Sequence, residues 1–290
     1  MSYAYWNNFV DHWRNLPLNE YVDGNQLTAL PNIFGWTNPN LFPLYGTENN
    51  QDLALQYLPE PWWGNDGNHP LESVVINYNP AGLNDQYFGA QTLQNIYQSR
   101  NLFGFNSYAD FINNEVAHQN VNFPGKFQFH YNKRAYPVLN ALNLNPNLVN
   151  HLSVELAPWY TPKSNLIVPY INNNLKNVYN HSLLFAANQS RRINNNILNN
   201  KVLVRTSKNE FERLLTRMIN SGIINGYGIS AEGSVPVPQF PVGSGSYCKF
   251  EIHDPLLNGI EFITIWKPRP GFSTNDFPLI PQLQWIFNVI

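Results

Sequence analysis

Side chains able to do chemistry collect in this chain where apolar runs stop. Asn79-Pro80-Ala81-Gly82 follows Ser73-Val74-Val75-Ile76-Asn77-Tyr78, and Ala157-Pro158-Trp159 follows Leu152-Ser153-Val154-Glu155-Leu156. Arg205-Thr206-Ser207 follows Lys201-Val202-Leu203-Val204, and Lys267-Pro268-Arg269-Pro270-Gly271 follows the run from Ile260 to Trp266. A carboxamide such as Asn79 can hold a water through its oxygen while neighbouring backbone N–H groups contact a ligand; Asn before Pro is equally an ordinary turn former. Gly82 permits close backbone approach, or simply a tight turn. The carboxylate of Glu155 accepts and cannot donate when ionised, so it suits an amino group on a ligand or a nearby Lys or Arg. Lys267 and Arg269 suit a phosphate or a developing negative charge. Tyr87, Phe88 and Trp159 offer ring faces for stacking, worth ~1–3 kcal/mol each on a base, or else pack as core and rim.

The runs that precede these groups read as strands, because β-branched stretches closed by proline or glycine are the pattern of strands buried on both faces. Between them lie segments long enough for crossover helices: Tyr108 to Val116, Ala135 to Leu142, Leu166 to Tyr179 and His181 to Leu198. A further helix is predicted from Asn209 to Asn220, with Phe211, Leu214, Leu215 and Met218 on one face and Gly222 just past its end. Alternating strands and helices predict an α/β fold, a three-layer α/β/α sandwich on a mainly parallel four-stranded sheet. Ligands bind such sheets outside the carboxyl ends of the strands, the edge at which the four polar segments would gather. Residues 1–70 are divided by seven prolines and read as an extension packed on a core of residues 71–290, with one amphipathic stretch from Trp6 to Leu16. The Gly- and Pro-rich segment 225–249 reads as a loop or hairpin insertion.

Composition sets outer bounds. The 290 residues carry a net charge of −2, 14% aromatic and 43% hydrophobic residues, enough apolar surface for a substantial core and too much for a disordered chain. No apolar run approaches the ~20 residues a membrane helix needs, and the first residues lack signal-peptide character, so a cytoplasmic protein with no membrane partner is expected. The single cysteine, Cys248, excludes an internal disulfide framework and Cys-rich metal sites. The seven histidines lack zinc-protease spacing, His253-Asp254 lacks a nucleophile elbow, and Gly243-Ser244-Gly245-Ser246 lacks the surroundings of a phosphate loop. Neither metal nor cofactor is expected. Charge is segregated: residues 1–117 hold two bases and eleven acids, residues 118–208 ten bases and one acid. Gathered on one face, the middle segment would attract a polyanion; interleaved with the acidic segments, it would not. Roughly one residue in six is asparagine, a bias to which no function is assigned.

The segment Leu58-Pro59-Glu60-Pro61-Trp62-Trp63-Gly64-Asn65, followed by Val74 to Gly82, resembles the entrance to the uracil-DNA glycosylase-like superfamily. Members with an Asn-Pro-Gly first motif carry it immediately after the first core strand. Val154 to Ser164 is similar to that superfamily's strand-then-proline segment, and Trp266-Lys267-Pro268-Arg269-Pro270-Gly271-Phe272 stands where the family has a His-Pro-Ser-Pro loop. The resemblance covers roughly residues 58–275. It implies a DNA-repair hydrolase that cleaves an N-glycosidic bond, with Asn79 positioning water and Lys267 stabilising the departing base. It also implies a binding surface for a base or nucleic acid made by Pro80, Gly82, Tyr87, Phe88, Glu155, Pro158, Trp159 and Arg269. Two positions depart from the pattern: Glu155 replaces a base-reading Asn, and Lys267 replaces His. They leave open a protein of the same fold that binds a nucleotide or nucleic acid without cleaving it. A third reading, of another class, is a protein that binds a partner through the aromatic residues of 1–70.

Overall fold

The computed structural model describes residues 62–65, 67, 69–77, 135–156, 176–235, 245–265, 284, 286 and 287. Their elements in chain order are β1 (Trp62–Gly64), β2 (Ser73–Asn77), α1 (Tyr136–Ala141), β3 (His151–Glu155), α2 (Lys176–Ser190), β4 (Lys201–Val204), α3 (Lys208–Asn220), β5 (Gly226–Val235), β6 (Gly245–His253) and β7 (Glu261–Ile265). The strands make one sheet in the order β1-β3-β2-β4-β7-β6-β5. The α/β class predicted from the sequence is the class observed.

The four predicted strands are β2, β3, β4 and β7, and they stand side by side and mutually parallel. The sheet is nevertheless wider than the four-stranded, mainly parallel sheet expected. Seven strands form it, and three are antiparallel additions. Trp62–Gly64, at the end of the expected N-terminal extension, pairs antiparallel with β3. The Gly- and Pro-rich segment is a hairpin, β5 and β6, whose second strand pairs antiparallel with β7. Its many glycines concealed that pairing, since glycine is depleted in strands. Gly233 has a specific reason: a Cβ there would lie 2.8 Å from the Tyr247 ring across the ladder.

Helix α3 follows its sequence signals closely. Ser207 caps it by accepting from the Glu210 N–H at 3.1 Å, and Glu210 in turn accepts from Thr206 Oγ1 at 2.8 Å. Gly222, with φ of 68°, ends it: its N–H bonds to the Ile219 carbonyl and the Ile223 N–H to the Met218 carbonyl, a Schellman closure. Phe211, Leu214, Leu215 and Met218 are buried, and the Phe211 ring meets Phe250 edge-on at 5.1 Å.

Helix α2 corrects the expected segmentation. One helix spans Lys176–Ser190, across the division expected between Tyr179 and His181, and the chain then turns instead of remaining helical to Leu198. Asparagine makes the turn. Asn195 and Asn200 take φ of 65° and 57°, a conformation Asn tolerates better than most residues, and Asn196 Oδ1 accepts from the Leu198 N–H. Asn65, Asn145 and Asn147 close the same kind of two-residue turn elsewhere, so part of the asparagine excess serves local backbone geometry.

Candidate functional site

Four parallel strands deliver their carboxyl ends to one edge of the sheet: Glu155, Asn77, Val204 and Ile265, in the spatial order β3, β2, β4, β7. Each of the four polar segments begins one or two residues beyond such an end. Of the predicted site residues, Glu155 is described. Asn79, Pro80, Gly82, Tyr87, Phe88, Pro158, Trp159, Lys267 and Arg269 lie outside the described residues, as does residues 1–61 of the aromatic extension.

Register decides which side chains share a face, because neighbouring partners in a ladder point the same way and successive residues alternate. Val74 and Ile76 share a face with Leu152, Val154, Val202, Val204 and Phe262, and this face is apolar until Thr264 and Cys248 at one end. On the opposite face, β2 and β3 present Ser73, Val75 and Asn77 beside His151, Ser153 and Glu155. All six are buried. Burial of so many polar groups requires hydrogen bonds between them. Ser73 Oγ and His151 Nδ1 lie 2.6 Å apart. Asn77 Nδ2 donates to Ser153 Oγ at 2.7 Å and to Glu155 Oε1 at 3.3 Å. Further along the same face the polarity stops at Leu203, Ile263 and Ile265, and charge reappears at Lys201, Glu261, Glu251 and Lys249.

Asn77 and Glu155 are direct register partners and the last residues of their strands. The site therefore has a built floor: a carboxamide held between a hydroxyl and a carboxylate at the carboxyl edge. Asn77 and Ser153 were not among the residues singled out from the sequence. The signal was present in the strict alternation His-Leu-Ser-Val-Glu over 151–155, which reads as one apolar and one polar face. The apolar centre Val74-Val75-Ile76 hid the matching alternation on β2.

Of the ten basic residues of the middle segment, four have described partners that occupy them. Lys201 pairs with Glu261 at 3.7 Å, Lys208 forms an ion pair with Glu232, Arg191 donates to the Leu256 and Asn258 carbonyls, and Arg192 donates to Gln189 Oε1 and the Gly67 carbonyl. The hydrogen bond to Glu232 holds the Lys208 ammonium above its ordinary pKa. Burial pushes the Cys248 thiol up to about 12. Among the described residues no cluster of three or more His, Cys, Asp or Glu could hold a metal ion, and no described helix is long and apolar enough to cross a membrane. Compared with known proteins, the chain matches no family model, no curated protein and no solved structure.

Proposed function

We propose that this chain is a uracil-DNA glycosylase-like protein that binds a nucleobase or nucleic acid at the carboxyl edge of β3, β2, β4 and β7 and hydrolyses an N-glycosidic bond there. Asn79 would hold the attacking water, Lys267 would stabilise the departing base, and Arg269 would hold a phosphate. The observation that carries the reading is the shared direction of the four strands, which sends the chain into all four polar segments from one edge. Strand spacing is ~4.8 Å, so the last residues of β7 and β2, two strands apart, stand about 10 Å from each other, a separation suited to a ligand with a base at one end and phosphate at the other.

A three-layer arrangement fits the same topology. Passage from β2 through α1 to β3 moves one way across the sheet, and passage from β3 through α2 to β4 moves the other way. Right-handed crossovers of opposite direction put their helices on opposite faces. Glu155 is fully buried and bonded to Asn77, so in this proposal it acts from behind the site and does not touch the base.

The test is a glycosylase assay on labelled single- and double-stranded DNA carrying uracil, hypoxanthine or a mismatched base, with Asn79→Ala alongside and binding measured at two salt concentrations. Cleavage that Asn79→Ala abolishes supports the proposal. Salt-dependent binding without cleavage reduces it to a nucleic-acid binder, and neither cleavage nor binding rejects it.

A further inference from the structure

Asparagine is roughly one residue in six, yet it precedes glycine at two places in the chain, Asn225-Gly226 and Asn258-Gly259. Asn-Gly is the pair in which a main-chain nitrogen most readily attacks the preceding carboxamide, because glycine has no Cβ to obstruct the approach. Both asparagines are exposed, and both pairs sit between apolar residues, Ile224 and Tyr227 in one case, Leu257 and Ile260 in the other. The fold is what separates them. The Asn225 N–H donates to the His253 carbonyl at 3.1 Å, and Gly226 opens β5 as the register partner of His253, whose Nδ1 lies 3.2 Å from where a Cβ would stand. Asn258 and Gly259 are instead the central residues of the turn between β6 and β7, closed by the Ile260 N–H on the Leu257 carbonyl at 3.2 Å. Gly259 has φ of 78°, as the third position of a type II turn requires, and a Cβ there would meet nothing within 4 Å. Among the described residues neither the Asn258 side chain nor the Gly259 N–H has a hydrogen-bond partner.

One contact distinguishes the turn further. Arg191 Nη2 donates to the Leu256 and Asn258 carbonyls at 3.1 Å each. The Asn258 carbonyl belongs to the same peptide group as the Gly259 nitrogen. When that nitrogen gives up its proton, the negative charge is shared with the carbonyl oxygen, where the guanidinium already donates. A donor fixed at the point of developing charge lowers the barrier. We infer that Asn258-Gly259 is a site of self-modification, at which the Asn258 amide is lost through a cyclic imide and Arg191 promotes the ring closure. Hydroxide takes the Gly259 proton, the nitrogen attacks Asn258 Cγ, and the new C–N bond closes a succinimide as the side-chain nitrogen, protonated by water, leaves as ammonia. Water then adds to either ring carbonyl and opens the ring to aspartate or isoaspartate. The turn gains a carboxylate beside Arg191, and in isoaspartate the main chain gains one carbon between β6 and β7. The inference is independent of the nucleobase reading.

The test incubates the full chain at mildly alkaline pH and follows the peptides containing Asn225 and Asn258 by mass spectrometry, with an isoaspartyl methyltransferase and a labelled methyl donor marking the rearranged product. The folded wild type is expected to lose the Asn258 amide while Asn225 keeps its own, and the chain unfolded in guanidinium is expected to lose both alike. Arg191→Met, checked for a cooperative thermal transition, is expected to slow conversion at Asn258 about tenfold, the scale of one hydrogen bond to a charged group. An arginine that merely braced the turn would have the opposite effect, since a loosened turn closes the ring more readily. Retention of the Asn258 amide in folded wild type, or its loss no faster than at Asn225, overturns the site. A preference for Asn258 that persists in the unfolded chain overturns its assignment to the fold, and unchanged or faster conversion in Arg191→Met overturns the part given to Arg191.

Discussion

The two faces of β2 and β3 are buried to the same degree by opposite means. One face consists of Val74, Ile76, Leu152 and Val154, which continue into Val202, Val204 and Phe262 and meet no polar partner over most of its width. The other consists of Ser73, Asn77, His151, Ser153 and Glu155 around the single apolar side chain of Val75. Apolar burial is favourable by about 25 cal/mol per Å² removed from water. Burial of a polar group is at best repaid by its hydrogen bond, which nets ~0.5–1.5 kcal/mol. A sheet selected for stability alone would make both faces like the first. The buried polar cluster on this face lies on β2 and β3, and beyond it the face is apolar at Leu203 and Ile263 and carries less buried charges at Lys201, Glu261, Glu251 and Lys249.

The largest effect should come from the apolar face. Phe211 on α3 touches Phe250 at 5.1 Å and Phe262 at 6.1 Å, and all three rings are fully buried. Phe211→Ala is expected to lower unfolding free energy by ~3–5 kcal/mol through lost contact and the cavity left behind, as measured by denaturant titration. Glu155→Ala on the polar face should cost less, ~1–3 kcal/mol, the scale of stripping a buried amide of one acceptor. If Glu155→Ala proves the more damaging of the two, the polar face contributes more to stability than its hydrogen bonds allow.

Next in size is an effect of alkaline pH on the apolar face. Cys248 lies where that face ends, and burial raises its thiol pKa from 9.0 to about 12. A thiol whose folded pKa is raised keeps its proton in the native state after the unfolded chain has lost it. The stability tied to that proton is intact below pH 9 and is lost as pH climbs from 9 toward 12, at no more than about 1.4 kcal/mol per pH unit. Between pH 9 and 11 the wild type should therefore lose stability more steeply than Cys248→Ala. Parallel slopes would mean that the thiol ionises in the folded protein as it does in the unfolded chain.

The legibility of these two faces in the sequence differs for a physical reason. The four parallel strands were readable because β-branched runs closed by proline or glycine have few other structural uses, and α3 because Phe211, Leu214, Leu215 and Met218 recur on one face and Gly222 follows its end. The antiparallel additions were not. A three-residue strand such as Trp62–Gly64 carries no period, and Gly226 and Gly233 of β5 make sense only opposite the rings of His253 and Tyr247. The floor of the site was half legible. Glu155 could be picked out as a lone acid in a basic segment, but its partner Asn77 is one asparagine among many, and its importance depends on a register that only the assembled sheet supplies.

The smallest expected effect bears most directly on the comparison. Ser153→Ala in the wild-type background should cost about 1 kcal/mol, because it removes the 2.7 Å acceptor of a buried amide. In an Asn77→Ala background the same change should cost almost nothing, since the bond it would break is already gone and Ser153 has no other described side-chain partner. The difference between the two costs is the coupling energy of the pair. On the apolar face the corresponding pair, Val74 and Leu152, are also register partners, but each packs against many neighbours, so truncating one should leave most of the cost of truncating the other intact. If Ser153→Ala costs the same in both backgrounds, the hydrogen bond is not what holds the polar face.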